Sequence, residues 1–436
     1  MIDISMLYCD YRPPSAPHRY GRAAGADAAR AHVMQRARSA GERRPIVVWN
    51  ITRTCNLRCI HCYSDSEATS YPGELTTAEA KAVIDDLADF GVPAVLFSGG
   101  EPLTRPDLFE LARYAGEKKL HTVLSTNGTL IHLDKARQIK QAGFVYVGLS
   151  LDSAVPEVHD HFRGQPGAFE RTIRGLRHLV AAGQKVGLRL TLSRPTAENL
   201  DAVFDLIERE RINRACFYHL VPAGRGQKVL DLSPAESRQA VDVILERTRQ
   251  FHQSGKRVEI LTVDNHCDGP YLYLKMAAAA DPRAQEVHDL LKWNGGGLNS
   301  SGVGIGCIDW TGHVHPDQFW THYSLGNVRQ RRFSEIWTDT SDPLMAGLKD
   351  RRLLLKGRCG RCKFVDLCGG ALRVRAELIT GDAWAAEPAC YLTDEEIGLS
   401  PDDVNELKAR GEYLAAPAAS PTAIPSDTLS DRPCTE

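Results

Sequence analysis

Between residues 45 and 220, short apolar, β-branched runs alternate with stretches of helical periodicity, and this alternation restricts the fold more than any other feature. The runs are PIVVWNI (45–51), PAVLFS (93–98), HTVLST (121–126), FVYVGLSL (144–151), VGLRLTL (186–192) and RACFYHL (214–220). Helical stretches such as 77–90 and 167–183 lie between them. Strands interleaved with helices predict an α/β fold with a parallel sheet of βα units. Six such units fit three-quarters of a βα barrel, a partial (βα)6 TIM-like barrel; a flat doubly wound sheet is the competing arrangement. Both arrangements bind ligands at the C-terminal ends of the strands, so the loops after each run are where chemistry is expected.

The cysteines mark those loops. Seven of the 12 fall in two tight groups. WNITRTCNLRCIHCYSDSE sets Cys55, Cys59 and Cys62 in a C-x3-C-x2-C spacing after the first strand. Three thiolates can hold three irons of a 4Fe–4S cluster and leave the fourth iron open to an exogenous chelating ligand. Tetrahedral zinc completed by His61, or simply buried thiols, are the alternatives. The second group, KGRCGRCKFVDLCGG with EPACYLTDEEIG, places Cys359, Cys362, Cys368 and Cys390 in a C-x2-C-x5-C-x21-C spacing. Four thiolates suffice for zinc or for a fully ligated 4Fe–4S cluster. Arg358, Arg361 and Lys363 stand beside them, where they would offset the thiolate charge. Cys307, in GIGCIDW, is either an extra or exchangeable ligand or a buried free thiol.

Composition excludes several classes of function. Apolar residues at 43% and charged residues at 25% are ordinary for a soluble globular protein. With 53 basic against 55 acidic side chains, no electrostatic footprint points to nucleic acid or an anionic membrane surface. No window approaches the uninterrupted apolar length of a membrane span. The N-terminus lacks a basic region followed by an apolar run, so a cytoplasmic location is expected, and clustered cysteines there read as metal ligands rather than disulfides. The chain divides into an N-terminal arm (1–44), the barrel core (45–225), a helical and mixed connecting region (226–306), a small Cys-rich domain (307–398) and a C-terminal extension (399–436). The connecting region carries a helical stretch at 233–253 and a Gly-rich run at 295–306. The extension ends in an Ala, Pro, Ser and Thr-rich tail that cannot bury a core and is expected to be disordered.

The Cys55 loop resembles the signature of the radical S-adenosylmethionine (radical SAM) superfamily, with His61 where that family usually has Phe, Tyr or Trp. Three further stretches match the superfamily in order: SGGEP (98–102) after the second strand, STNGT (125–129) after the third and SLD (150–152) ending the fourth. The resemblance implies that S-adenosyl-L-methionine chelates the open iron and that an electron from the reduced cluster cleaves its sulfonium C–S bond. The resulting 5′-deoxyadenosyl radical then abstracts a substrate hydrogen. It also implies cofactor contacts: the Gly99–Gly100–Glu101 turn to the methionine amino group, Ser150 to the ribose and Arg163 to the methionine carboxylate, with Asn127 and Asp152 nearby. Read by themselves, the Gly-Gly pair is a strand-to-helix connection, Asn127 a turn residue, Asp152 a helix cap and Arg163 a surface arginine.

The second cysteine group resembles the shortened auxiliary-cluster extension (SPASM/twitch type) of many radical SAM enzymes, which implies a second 4Fe–4S cluster. Longer stretches, among them FYHLVPAGRG, LTVDNHCDGPYLYLK and HVHPDQFWTHYSLGNVR, resemble the haem-forming branch of the superfamily. Within that branch the likeness is greatest to enzymes that remove the acetate side chains of didecarboxysiroheme to give Fe-coproporphyrin III. Enzymes that alter propionates for d-type haem are the nearer alternative, and peptide maturases the more distant one. The implied partners are an iron tetrapyrrole substrate and an electron donor such as ferredoxin or flavodoxin. A planar, carboxylate-rich iron macrocycle asks for an axial donor and cationic groups at its rim. His219, His266, His313 and His315 are candidate donors, and Arg225 lies just past the sixth strand, although each histidine alone is more often structural. Trp310, Phe319 and Trp320 suit a core better than a stacking face.

Overall fold

The computed structural model describes residues 1–13, 44–228 and 231–414, and its strands fall where the alternation places them. After β1 (Ile2–Asp3) come β2 (Ile46–Thr52), β3 (Ala94–Gly99), β4 (His121–Thr126), β5 (Tyr146–Ser150), β6 (Val186–Leu192) and β7 (Arg214–His219), the last six all parallel. The helices between them are held by signals written locally. For α2 (Thr77–Phe90), which follows α1 (Ile4–Cys9), Thr76 and Glu79 form a capping box and Gly91 closes the C-terminus at φ +79°. Further on lie α3 (Pro156–Arg163), α4 (Ala168–Ala181), α5 (Pro234–Gln253) and α6 (Asp268–Ala278).

The sheet is larger than six strands. A seventh parallel strand, β8 (Glu259–Val263), pairs with β7 from within the segment read as a connecting region. At the opposite side β9 (Ile305–Ile308) adds in parallel to β2, followed by antiparallel β10 (His313–His315) and β11 (Gly326–Asn327). Among the described residues the order is β1-β8-β7-β6-β5-β4-β3-β2-β9-β10-β11. An uncovered strand edge is a liability, and here β1 caps β8 while β9 takes the edge of β2. Limits drawn at 225/226 and 306/307 therefore cross one continuous sheet. The core is equally continuous, reaching from Val47 and Phe97 to Phe333, Tyr391 and Leu407.

The arm begins as part of that core. Ser5 Oγ donates to the Val258 carbonyl and accepts from the Ile260 N–H, both at 2.8 Å. The rest of the arm, from 14 to 43, and the tail from 415 lie outside the described residues. No described helix is long and apolar enough to cross a membrane.

Strand alternation sorts the two faces. Leu188, Leu190 and Leu192 of β6 join the helices in the main core, as do Val147 and Leu149 of β5. The inner face carries its own small apolar group of Cys216, Leu261 and Val263 beside Tyr218, the apolar residues Val48, Leu96 and Val123, and polar residues including Asn50, Ser98, Ser125 and Arg189. Because the strands are parallel, the loops after β2 to β5 all emerge at one end of this face.

Candidate functional site

Cys55, Cys59 and Cys62 lie together in the loop after β2, around Leu57, and none is in a disulfide. Backbone bonds fix the loop: the Cys55 N–H donates to the Glu67 carbonyl at 3.0 Å and the Ile60 N–H to the Phe162 carbonyl at 3.0 Å. Burial pushes the Cys55 thiol up to about 12 and raises Cys59 as well, so binding a cation here would release protons. Among the described residues no three His, Cys, Asp or Glu side chains close tightly enough to grip one metal ion. On a cubane each cysteine takes a different iron, so the three sulfurs need not converge on one point. His61 does not complete a tetrahedron. Its ring lies 5.3 Å from Phe162, its Nε2 is 3.8 Å from Asp152, and burial drives it down to about 4.

The loops after β3 and β4 lock onto the cysteine loop. Gly100 and Glu101 donate their N–H groups to the carbonyls of Thr52 (2.8 Å) and Thr54 (2.9 Å). A Cβ at Gly99, where φ is +133°, would stand 2.2 Å from the Thr52 carbonyl oxygen, and one at Gly100 would stand 2.3 Å from that of Thr54. The two glycines thus serve an approach of backbone to backbone. Gly100→Ala is expected to cost about 1–3 kcal/mol through overpacking and to lower iron content, checked by thermal melting and iron analysis after reconstitution. Glu101 is fully buried and accepts from the Leu103 N–H (3.1 Å), Thr126 Oγ1 (2.8 Å) and the Asn127 N–H (2.8 Å). Burial nevertheless raises its carboxyl to about 6. Asn127 Nδ2 donates to Asn56 Oδ1 at 2.9 Å, while its Oδ1 accepts from Thr129. Ser150 ends β5, level with Arg189 of β6.

Arg163 is not at the surface, and Asp152 does not cap a helix. The two are buried against each other in an ion pair of 2.7 Å, and Arg163 Nη1 also reaches Cys59 Sγ at 3.7 Å. Burial opposes the Asp152 charge, but Arg163, His61 and His159 hold it below its ordinary value. Arg163 Nε is buried without a hydrogen-bond partner. Arg225, read as a group for the substrate rim, is instead occupied by the cysteine loop. It donates to the Cys59 carbonyl (2.8 Å), Asp65 Oδ1 (2.6 Å) and the Ser66 carbonyl (2.7 Å). Nothing local to AGRG announces a partner that distant in sequence.

The second group surrounds a cavity. Cys359 lies on α7 (Gly357–Arg361), Cys368 ends α8 (Val365–Cys368), and with Cys362, Cys390, Phe364, Val365 and Leu392 they line it. Burial raises the thiols of Cys359, Cys362 and Cys368, Cys362 to about 12. The Gly-rich run packs beneath: a Cβ at Gly296 would stand 2.3 Å from the Leu367 carbonyl, and one at Gly297 2.5 Å from that of Ala371. Of the neighbouring basic residues, Arg358 lines the cavity and acts on Cys362 and Cys390 as expected, while Arg361 and Lys363 turn to other partners. Arg358 pairs with Asp394 at 2.7 Å, Arg361 with Asp403 and Glu406, and Lys363 lies over the Phe364 ring. The cation acting on Cys359 is the buried Arg373. Cys307 is not at this cavity; it lies on β9 and accepts from Asn50 Nδ2 at 3.8 Å. The additional thiol here is Cys267, just before α6, which hydrogen-bonds to Cys390.

The histidines fall in different environments. His219 is held by Asp268 at 3.0 Å, which also accepts from the Tyr391 hydroxyl. His266 is buried with Nδ1 unpartnered, its Nε2 3.2 Å from the Met1 nitrogen. His315 bonds the Tyr323 carbonyl through Nδ1 and has its Nε2 3.5 Å from Asp309 Oδ2, while His313 is exposed. Trp320 is fully buried, and Phe319 packs edge-on against Tyr63, whose hydroxyl donates to Asn50 at 2.9 Å.

A cysteine triad after the first parallel strand, backed by a Gly-Gly-Glu turn from the second, matches the radical SAM superfamily over residues 49–207, and the chain belongs to that superfamily. Its relatives narrow this further. It is 55% identical to Fe-coproporphyrin III synthase of Methanosarcina barkeri, across 91% of this chain and 99% of that protein. It is 43% identical to pre-heme d1 synthase of Dinoroseobacter shibae, across 85% of this chain and 91% of the relative. Among solved structures, SuiB of Streptococcus suis bound to S-adenosylmethionine shares the fold with a TM-score of 0.64 at 18% identity, covering 84% of this chain and 81% of that one.

Proposed function

We propose that this chain removes the two acetate side chains of iron-bound didecarboxysiroheme, leaving methyl groups and giving Fe-coproporphyrin III. The observation that carries this reading is the 55% identity to Fe-coproporphyrin III synthase along nearly the whole of both chains, well above the 43% to pre-heme d1 synthase.

The residues fit the groups this chemistry needs. Cys55, Cys59 and Cys62 would hold three irons of a 4Fe–4S cluster and leave one for the methionine amine and carboxylate of SAM. When bound, cluster and cofactor supply a reducing electron and a hydrogen-abstracting radical. The chain supplies position. Gly99–Glu101 presents its backbone to the methionine amine, Ser150 stands for the ribose, and Asn127 ties the β4 loop to the cysteine loop. Arg163, with a buried and unpartnered Nε, offsets negative charge beside Cys59. Cys359, Cys362, Cys368 and Cys390 would hold a second 4Fe–4S cluster, a group able to exchange one electron with a radical formed during C–C cleavage. Electrons for the first cluster come from a small carrier such as ferredoxin or flavodoxin in a reducing cytoplasm.

The test is an anaerobic assay of the reconstituted protein with didecarboxysiroheme, dithionite and SAM, read by product mass. Loss of the acetate carbons with propionates intact is the expected result. Altered propionates would assign the d-type haem reaction instead, and an unchanged tetrapyrrole would overturn both.

A further inference from the structure

The inner face of the sheet holds a cation that pairs with no carboxylate among the described residues. Arg189 lies between Leu188 and Leu190, which go to the core, and so faces inward, level with Ser150 at the end of β5 where the cofactor loops begin. Its side chain crosses over β5: a Cβ at Gly148 would stand 2.4 Å from Arg189 Nε and 3.0 Å from its Cζ. On β6 itself, a Cβ at Gly187 would stand 2.2 Å from the Tyr146 hydroxyl. Two glycines on adjacent strands therefore clear space for two polar groups to turn inward.

The groups that meet Arg189 there do not satisfy it. One nitrogen donates to Ser125 Oγ at 2.9 Å, and the Tyr218 ring lies 5.9 Å from the guanidinium carbon. Nε is buried without a partner, and so is the Tyr146 hydroxyl. Arg214, the next cation on this face, has Glu259 at 3.7 Å, whereas among the described residues no carboxylate pairs with Arg189. A buried charge without a partner is strongly unfavourable, and a guanidinium presents a planar fork suited to a carboxylate. The remaining inward neighbours, Cys216, Leu261 and Val263, offer no anion and would suit a flat apolar ring.

We propose that Arg189, with Ser125 beside it, receives a carboxylate of the tetrapyrrole on the inner face of the barrel. This rests on the reading under Proposed function. The carboxylate has two sources, the macrocycle and the methionine end of SAM, and the proposal assigns it to the macrocycle.

The test is a titration of the anaerobically reconstituted enzyme with iron coproporphyrin III as free acid and as methyl ester, followed in the Soret band, beside a separate SAM titration. Arg189→Met is expected to weaken binding of the free acid by roughly ten- to a hundredfold, with the ester and SAM affinities unaltered. Arg189→Lys, which keeps the charge without the fork, should fall between and covers the case in which the Met variant fails to fold. Equal binding of the free acid by wild type and both variants would overturn the proposal, as would a loss confined to SAM. If wild type binds neither macrocycle, the functional reading falls; if it binds and the variants bind equally, only the role of Arg189 falls.

Discussion

Cys59→Ala is expected to abolish reductive cleavage of SAM while leaving the protein folded. The two parts of this expectation have separate causes. The Cys59 thiol is buried, and its polar neighbour is Arg163 Nη1 at 3.7 Å, so no second side chain is placed to take over its iron. Two remaining thiols cannot retain a cubane that needs three, and reconstituted iron should drop from about eight to about four per chain. The backbone around it depends little on the thiol. Arg225 holds the Cys59 carbonyl, Cys55 and Ile60 are bonded to Glu67 and Phe162, and Arg163 keeps its ion pair with Asp152. Iron and sulfide analysis, a melting curve and 5′-deoxyadenosine release under dithionite check all three statements. Release of 5′-deoxyadenosine above background by this variant would remove the assignment of the triad.

The six parallel strands were legible because each is a β-branched run ended by a turn, and the helix over 77–90 because its capping box and terminal glycine are adjacent in sequence. β8 is not legible in sequence, since a run of five residues, EILTV, is too short to separate from a buried helix by periodicity. β9, β10 and β11, of two to four residues, owe their existence to the open edge of β2 rather than to their own composition. The sequence around the cysteines shows which thiols cluster and names one cation that faces them, Arg358, but not Arg225 or Arg373. Arg225 and Arg373 act on groups supplied by distant segments, so no local pattern could name them, and Cys267 is a single cysteine without a spacing partner. Arg189 was readable in principle: a charge at the inward position of VGLRLTL breaks the apolar filling of a closed barrel core and marks a lumen that admits a ligand.

Cys362→Ala is expected to separate the two halves of the reaction, stopping tetrapyrrole conversion while SAM cleavage continues without productive coupling. The residues that would hold SAM and its cluster stand on the loops after β2 to β5, and none lines the second cavity. Cys362 lies between α7 and α8, bonded by the Phe364 N–H at 3.3 Å, and removing it leaves Cys359, Cys368 and Cys390, with Cys267 beside Cys390, around a cavity otherwise closed by Phe364, Val365 and Leu392. A cluster there would cross-link residues 359–368 to Cys390, so its loss should also lower the melting temperature, because metal-binding free energy is folding free energy when the site forms only in the native chain. A purely structural role for the second cluster would give the same melting change without the split in activity. The deciding measurement is therefore the ratio of 5′-deoxyadenosine formed to tetrapyrrole consumed: it should rise steeply in the variant, and a ratio equal to that of wild type at normal turnover would exclude an electron-exchanging role for the second cluster.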